Sequence, residues 1–312
     1  MTLRMEVQIG DLGLPATLDV PVGPVRAGVV VLHAAEAGHR SYFCYDHLAR
    51  LLPGHGIAVL RYDRRPRVDG HDVPLSVQAD DAAAAVGLLR RQVGDVPVGL
   101  WGVSQGAWAA ALTATRHEIA FLVLVSGSGV SPAAQMRYGT AEQLRRHGFG
   151  AADVAELDRL RRTVERYLRG ETGREPAQAA VDAAAARAWF PLAYLPRELP
   201  AQSGTWRDMD FDPVPVFALV NCPVLLFFGE TDGWVPIEES VAAWRRAAGT
   251  TVEVTVSRLA GCDHLPTRHE GEDLASISPQ YADTLLDWLD RRLPRSVDGP
   301  PGAGQADVGV SR

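Results

Sequence analysis

The sequence predicts an α/β protein, a doubly wound and mostly parallel sheet that carries an inserted all-helical segment. Three observations carry this expectation. Short runs of Val, Leu and Ile bounded by Gly or Pro recur along the chain, and segments at helical spacing lie between them. From about Ser131 to Pro200 the alternation stops, and the text becomes Ala, Arg, Glu and Leu in helical order. Strand character then returns at Pro223.

Taken in order, Arg4–Ile9 and Pro15–Val20 are expected to form a hairpin across Gly10–Asp11–Leu12–Gly13. The unbroken apolar run Gly28–His33 suits a central parallel strand covered on both faces. An amphipathic helix over Ser41–Leu52, a strand over Ile57–Tyr62 and an alanine-rich helix over Ser76–Gln92 follow. Val96–Leu100 opens the next strand, Ala107–Leu112 a helix, and Ala120–Val125 another strand. Ala152–Leu168 and Ala177–Ala188 read as helices lying over the sheet. Pro223–Phe228 and Val252–Arg258 are the late strands, with helices over Ser240–Ala248 and Pro279–Leu293. The final Gly, Pro and Ser-rich stretch reads as a disordered tail. The expected division is a core of 1–129 and 216–294, an insertion of 130–215 and a tail of 295–312.

Composition removes several classes of chemistry. With 46% hydrophobic and 22% charged residues over 312 positions, the chain can bury a sizeable core. A net charge of −7 gives no reason to expect a nucleic-acid partner. All 31 basic residues are arginine, so no lysine is present to form a Schiff base or to serve a phosphate loop. Cys44, Cys222 and Cys262 are too few and too scattered for a disulfide framework or a zinc site. The alternating acids of Asp208–Asp212 fail as a calcium loop, because its sixth position is Pro213 and its twelfth is Leu219. No cofactor and no metal are expected. Neither an apolar leader nor an 18-residue apolar run is read, which predicts a cytoplasmic protein without a membrane partner.

The chemistry centres on Gly102–Val103–Ser104–Gln105–Gly106, where a buried strand turns into a helix. Small residues on both sides allow so tight a corner and lift the serine hydroxyl clear of the sheet. In this G-x-S-x-G corner the chain resembles the α/β-hydrolase superfamily, through its nucleophile elbow. A hydroxyl is a poor nucleophile without a histidine to take its proton and a carboxylate to orient that histidine. The resemblance implies the chain order serine, acid, histidine, each in a loop after a strand. Gly229–Glu230–Thr231–Asp232–Gly233–Trp234–Val235–Pro236 resembles the acid loop and gives Asp232, with Glu230 as the weaker candidate. Leu259–Ala260–Gly261–Cys262–Asp263–His264–Leu265 resembles the closing histidine loop and gives His264, with His269 as its rival.

The same likeness, over about Met5 to Leu293, implies the α/β-hydrolase fold with a helical cap and an oxyanion hole built from two backbone N–H groups. Gln105 is one donor, and Ala35 in His33–Ala34–Ala35 matches the other. His33 itself reads as a structural hydrogen-bonder, and Tyr62–Asp63–Arg64–Arg65–Pro66 as a structural loop near that site. Trp189, Phe190 and Tyr194 either wall a substrate pocket or pack onto the sheet. The implied function is a serine hydrolase that cleaves an ester or thioester of a small-molecule acyl substrate through an acyl-serine. Two alternatives stay open: an acyltransferase or cyclising thioesterase with the same triad, and a non-catalytic binding module on a hydrolase scaffold.

Overall fold

A computed structural model describes residues 2–35, 37–67, 72–268 and 271–293. The expected tail 295–312 and the rival His269 lie outside the described residues. Among the described residues eight strands form one sheet: β1 (Thr2–Ile9), β2 (Leu14–Pro21), β3 (Ala27–Leu32), β4 (Ile57–Tyr62), β5 (Val98–Val103), β6 (Leu122–Val125), β7 (Val224–Gly229) and β8 (Val254–Leu259). Their spatial order is β1-β2-β4-β3-β5-β6-β7-β8. The hairpin β1–β2 and the pair β2–β4 are antiparallel, and every pair from β4 to β8 is parallel. All six residues of β3, β4, β5 and β7 are buried, which is why they read as unbroken apolar runs.

Two layers of helices cover the sheet. The helices α1 (Phe43–Leu51) and α9 (Pro279–Asp290) share a core with Val29, Val31, Trp101 and Phe227. On the other face α2 (Leu75–Val93), α3 (Gln105–Ala114) and α8 (Ile237–Ala248) pack over Val30, Leu100 and Leu226. Side chains alternate between the two layers along a strand, with Val29 and Val31 facing one layer and Val30 the other.

Between β6 and β7 the chain forms α4 (Pro132–Arg146), α5 (Ala151–Leu168), α6 (Arg174–Ala184) and the short α7 (Pro213–Phe217). The helices α4 to α6 enclose a separate small core that includes Leu144, Leu157, Val164, Val181 and Trp189. The insertion is therefore helical where strand signals vanish, and α4 adds a helix that the sequence reading had not delimited. Among the described residues no helix is long and apolar enough to cross a membrane. Cys44, Cys222 and Cys262 are free and buried.

After β3 the chain passes to β4 on one side and then returns through α2 to β5 on the other, so β3 marks a reversal of strand order. Crevices form at the carboxyl ends of parallel strands beside such a reversal. The loops after β3, β5, β7 and β8 all leave that same rim of the sheet.

Candidate active site

Ser104 occupies the corner between β5 and α3 with φ 52° and ψ −116°, a conformation that L residues seldom adopt. Its N–H donates to the Val125 carbonyl at 2.9 Å, which ties the corner to β6. The flanking glycines answer to space. A Cβ on Gly102 would overlap the Gly106 carbonyl, and one on Gly106 would lie 2.7 Å from the carbonyl oxygen of Leu32. The strained corner is thus held by backbone packed against backbone.

The two other predicted side chains reach it. His264 Nε2 lies 3.0 Å from Ser104 Oγ, and its Nδ1 lies 3.1 and 3.2 Å from Asp232 Oδ2 and Oδ1. An Nδ1–H donated to the carboxylate leaves Nε2 as the acceptor for the serine hydroxyl. The Asp232 carboxylate is buried, and its Oδ1 also accepts the N–H groups of Trp234 at 2.7 Å and Val235 at 3.1 Å. The loop carrying His264 is pinned as well, since Ser126 Oγ donates to the His264 carbonyl at 2.7 Å. Gly229 ends β7 hard against the carbonyls of Cys262 and Asp263, so the acid and histidine loops touch. Glu230, the weaker acid candidate, is exposed.

The electrostatics follow from this geometry. Burial alone would lower the His264 pKa, but the charge and hydrogen bond of Asp232, helped by Asp263, outweigh it and raise it. Burial alone would raise Asp232, yet the charge and hydrogen bond of His264 and the hydrogen bond from the Trp234 N–H hold it below the ordinary carboxylate range. The histidine is thereby a stronger base than free imidazole, and the acid stays ionised.

At the other side of Ser104, Tyr45 fixes the loop after β3. Its hydroxyl accepts from the Ala34 N–H at 3.0 Å and donates to the Ala37 carbonyl at 2.9 Å. Arg64 donates to the Ala34 carbonyl at 3.3 Å, to the Ala35 carbonyl and to Gln105 Oε1 at 2.8 Å, so one guanidinium links this loop to the start of α3. The N–H groups of Ala35 and Gln105 meet no acceptor among the described residues. His33 is buried, touches the Tyr62 carbonyl through Nε2, and has its pKa lowered by burial to about 4. It is therefore neutral and structural.

The three aromatic residues separate. Trp189 and Phe190 are 1% and 4% exposed inside the small core of the inserted helices, so they pack within the insertion and not onto the sheet. Tyr194 is 57% exposed, and its ring meets Trp234 edge-on with 4.8 Å between centroids. Trp234 was not singled out by sequence reasoning, although its place two residues after Asp232 was a usable signal. Arg64 stands in the segment Tyr62–Pro66, which the sequence gives only as a structural loop near this site, and Tyr45 carried no local pattern as a site residue.

Residues 29–277 match the alpha/beta hydrolase family. The chain belongs to that family. Structures similar to this alpha/beta hydrolase include an esterase from Pyrococcus furiosus, with a TM-score of 0.58 at 14% identity over 94% of this chain and 91% of the other. A dienelactone hydrolase from Anabaena variabilis gives 0.54 at 15% identity over 94% and 99%. An acylaminoacyl peptidase from Pyrococcus horikoshii gives 0.57 at 12% identity over 96% of this chain but 43% of the peptidase. No curated protein sequence gives a significant match. Similarity at this level of identity speaks to the fold, which hosts many chemistries.

Proposed function

We propose that this alpha/beta hydrolase is a serine hydrolase that cleaves an ester or thioester through an acyl-serine intermediate. The observation that carries the reading is the continuous hydrogen-bonded chain from Ser104 Oγ through His264 to the Asp232 carboxylate. In the first step His264 Nε2 takes the hydroxyl proton as Ser104 Oγ attacks the acyl carbonyl. Asp232 keeps the imidazole in the tautomer that can accept it and stabilises the imidazolium that forms. The N–H groups of Gln105 and Ala35 receive the developing oxyanion, and the positive end of α3 adds to them. Collapse of the tetrahedral species passes the proton from His264 to the leaving alcohol or thiol. Water, deprotonated by the same histidine, then releases the acid and restores Ser104.

In this reading residues 130–215 form a cap over a core of 1–129 and 216–294. Tyr194 and Trp234 offer a partly exposed aromatic wall to a small-molecule acyl substrate, while Trp189 and Phe190 support it from within. Neither a nucleic acid nor a membrane enters the mechanism, and no cofactor or metal is required by it.

The test is labelling with a fluorophosphonate, followed by turnover of a panel of p-nitrophenyl esters and acyl thioesters. The parent should be labelled, and Ser104→Ala should lose both labelling and about 10⁶-fold of turnover, the scale typical of a lost serine nucleophile. Equal labelling of the parent and Ser104→Ala would remove Ser104 from the mechanism. Release of the trapped acyl group by an amine or alcohol in preference to water would turn the reading toward acyl transfer.

A further inference from the structure

Arg146 ends α4, in the inserted helices, yet its guanidinium lies between the acid loop and the histidine loop. Nη1 donates to Asp263 Oδ2 at 2.9 Å, and Nη2 donates to the Thr231 carbonyl. Asp263 uses its other oxygen to accept the Gly233 N–H at 3.0 Å. A Cβ on Gly233 would sit 2.5 Å from the Arg146 guanidinium carbon, so the glycine leaves room for the cation. Thr231 and Gly233 flank Asp232, and Asp263 precedes His264. One planar fork thus reaches both neighbours of the triad's acid and histidine, a bridge that a single ammonium could not make in the same way.

We propose that Arg146 is a positioning residue, an inserted-helix clamp that fixes the Asp232 loop against the His264 loop and sets the charge seen by the histidine. The inference rests on the serine-hydrolase reading. It makes the insertion a part of the catalytic frame as well as a cover for the pocket, because displacing the end of α4 would loosen two of the three triad loops.

The charges that face His264 define the expected electrical effect. Asp232 approaches from the loop after β7, Asp263 lies on its own loop, and Ser104 comes from the loop after β5. From α4 come Arg146, Glu142 at 3.7 Å from it, and Tyr138, which feels Asp232, Glu142, Arg145 and Arg146. Asp263 favours the protonated histidine, and Arg146 neutralises Asp263. Removing Arg146 leaves that anion uncompensated and raises the acid limb of the pH profile. Removing the charge of Asp263 lowers it.

The pH dependence of fluorophosphonate labelling measures this without knowledge of the natural substrate. Arg146→Ala should label Ser104 roughly ten- to a hundredfold more slowly, the cost of small misplacement in a reacting geometry. Its acid limb should move up by about half a unit, and that of Asp263→Asn down by a similar amount. Arg146→Lys keeps the charge, so its limb should stay near that of the parent while its rate remains reduced. Should Arg146→Ala fail to fold by circular dichroism, Asp263→Asn and Arg146→Lys carry the same test. A labelled parent whose acid limb does not move in Arg146→Ala or Asp263→Asn, or whose labelling rate is unchanged in Arg146→Lys, overturns the clamp alone. A parent that is not labelled overturns the serine-hydrolase reading and the clamp with it.

Discussion

The corner that carries Ser104 and the pair of loops that carries Asp232 and His264 are held by different means. At the serine, backbone meets backbone: Gly106 lies against the Leu32 carbonyl, and the Ser104 N–H is bonded to β6. At the acid and histidine, side chains add to the backbone contact of Gly229 with the Cys262 and Asp263 carbonyls: Asp263 accepts from Gly233, and Thr231 Oγ1 donates to the Cys262 carbonyl at 2.9 Å. A backbone contact has no graded substitute, whereas a side-chain contact can be shortened, neutralised or lengthened. The Ser104 corner is therefore fixed in position, and the acid and histidine corner keeps side-chain contacts that can be tuned.

The largest expected effect tests whether charge or shape matters at the second corner. Asp232→Asn keeps the volume but lets an amide face Nδ1, which favours the wrong tautomer, and kcat should fall by about 10⁴-fold. Glu230→Gln, at an exposed carboxylate, should stay within a few-fold of the parent in the same ester assay. A comparable loss from Glu230→Gln would reassign the acid.

Gly106→Ala probes the first corner. Its added methyl meets a carbonyl that cannot rotate away, so β3 or α3 must shift. The expected outcome is about 3 kcal/mol of lost stability in urea denaturation, with little labelling of the folded fraction. Tolerance of alanine at this position would mean that the corner is as adjustable as its counterpart.

The next effect is a pH dependence of the tuned corner. Because His264 is raised above the ordinary imidazole value, kcat/KM should fall tenfold for each unit of acidification below that raised pKa. Stability runs the other way for the histidine. Its interaction with Asp232 is fully present below the unfolded value of ~6.5 and is lost as pH rises through the raised folded value. Asp232, with its pKa depressed, contributes stability above the unfolded carboxylate range and loses it as pH falls through the depressed value. Urea midpoints measured across pH should show both limbs in the parent, and Asp232→Asn should flatten them.

How much was readable in the sequence follows from the same contrast. The strands β3, β4, β5, β6 and β7 announced themselves because both faces of each are buried, and a doubly buried strand must be apolar throughout. The strand β8 was displaced by two residues toward its start, since Val254–Leu259 is largely half-buried and its pattern is mixed. Ser104, Asp232 and His264 stand in short local patterns of glycine and apolar residues, so the text exposes them. Arg146 and Asp263 are 117 residues apart, and Arg64 and Gln105 are 41 apart. Such pairs obey no local periodicity; among 31 arginines nothing singled out Arg146, and Arg64 stood only in a segment read as a structural loop. Strand order and the delimitation of α4 were likewise matters of long-range packing.

The smallest expected effect concerns the aromatic wall beside the tuned corner. Tyr194 is not glycine, yet it holds φ 51° and ψ 43°, a left-handed conformation that costs on the order of 1 kcal/mol. Its ring is mostly exposed and touches Trp234, so burial returns little of that cost. Tyr194→Ala should leave kcat nearly unchanged while raising KM for bulky acyl esters by roughly fivefold, the loss of one apolar contact of about a kilocalorie. Tyr194→Gly removes the same ring but relaxes the backbone, and should therefore be more stable than Tyr194→Ala by about 0.5–1 kcal/mol in thermal unfolding. If KM stays constant across a series of acyl lengths in both variants, the ring faces solvent and not substrate. If the two variants melt together, the left-handed turn is not a strained one, and the wall is held by its neighbours alone.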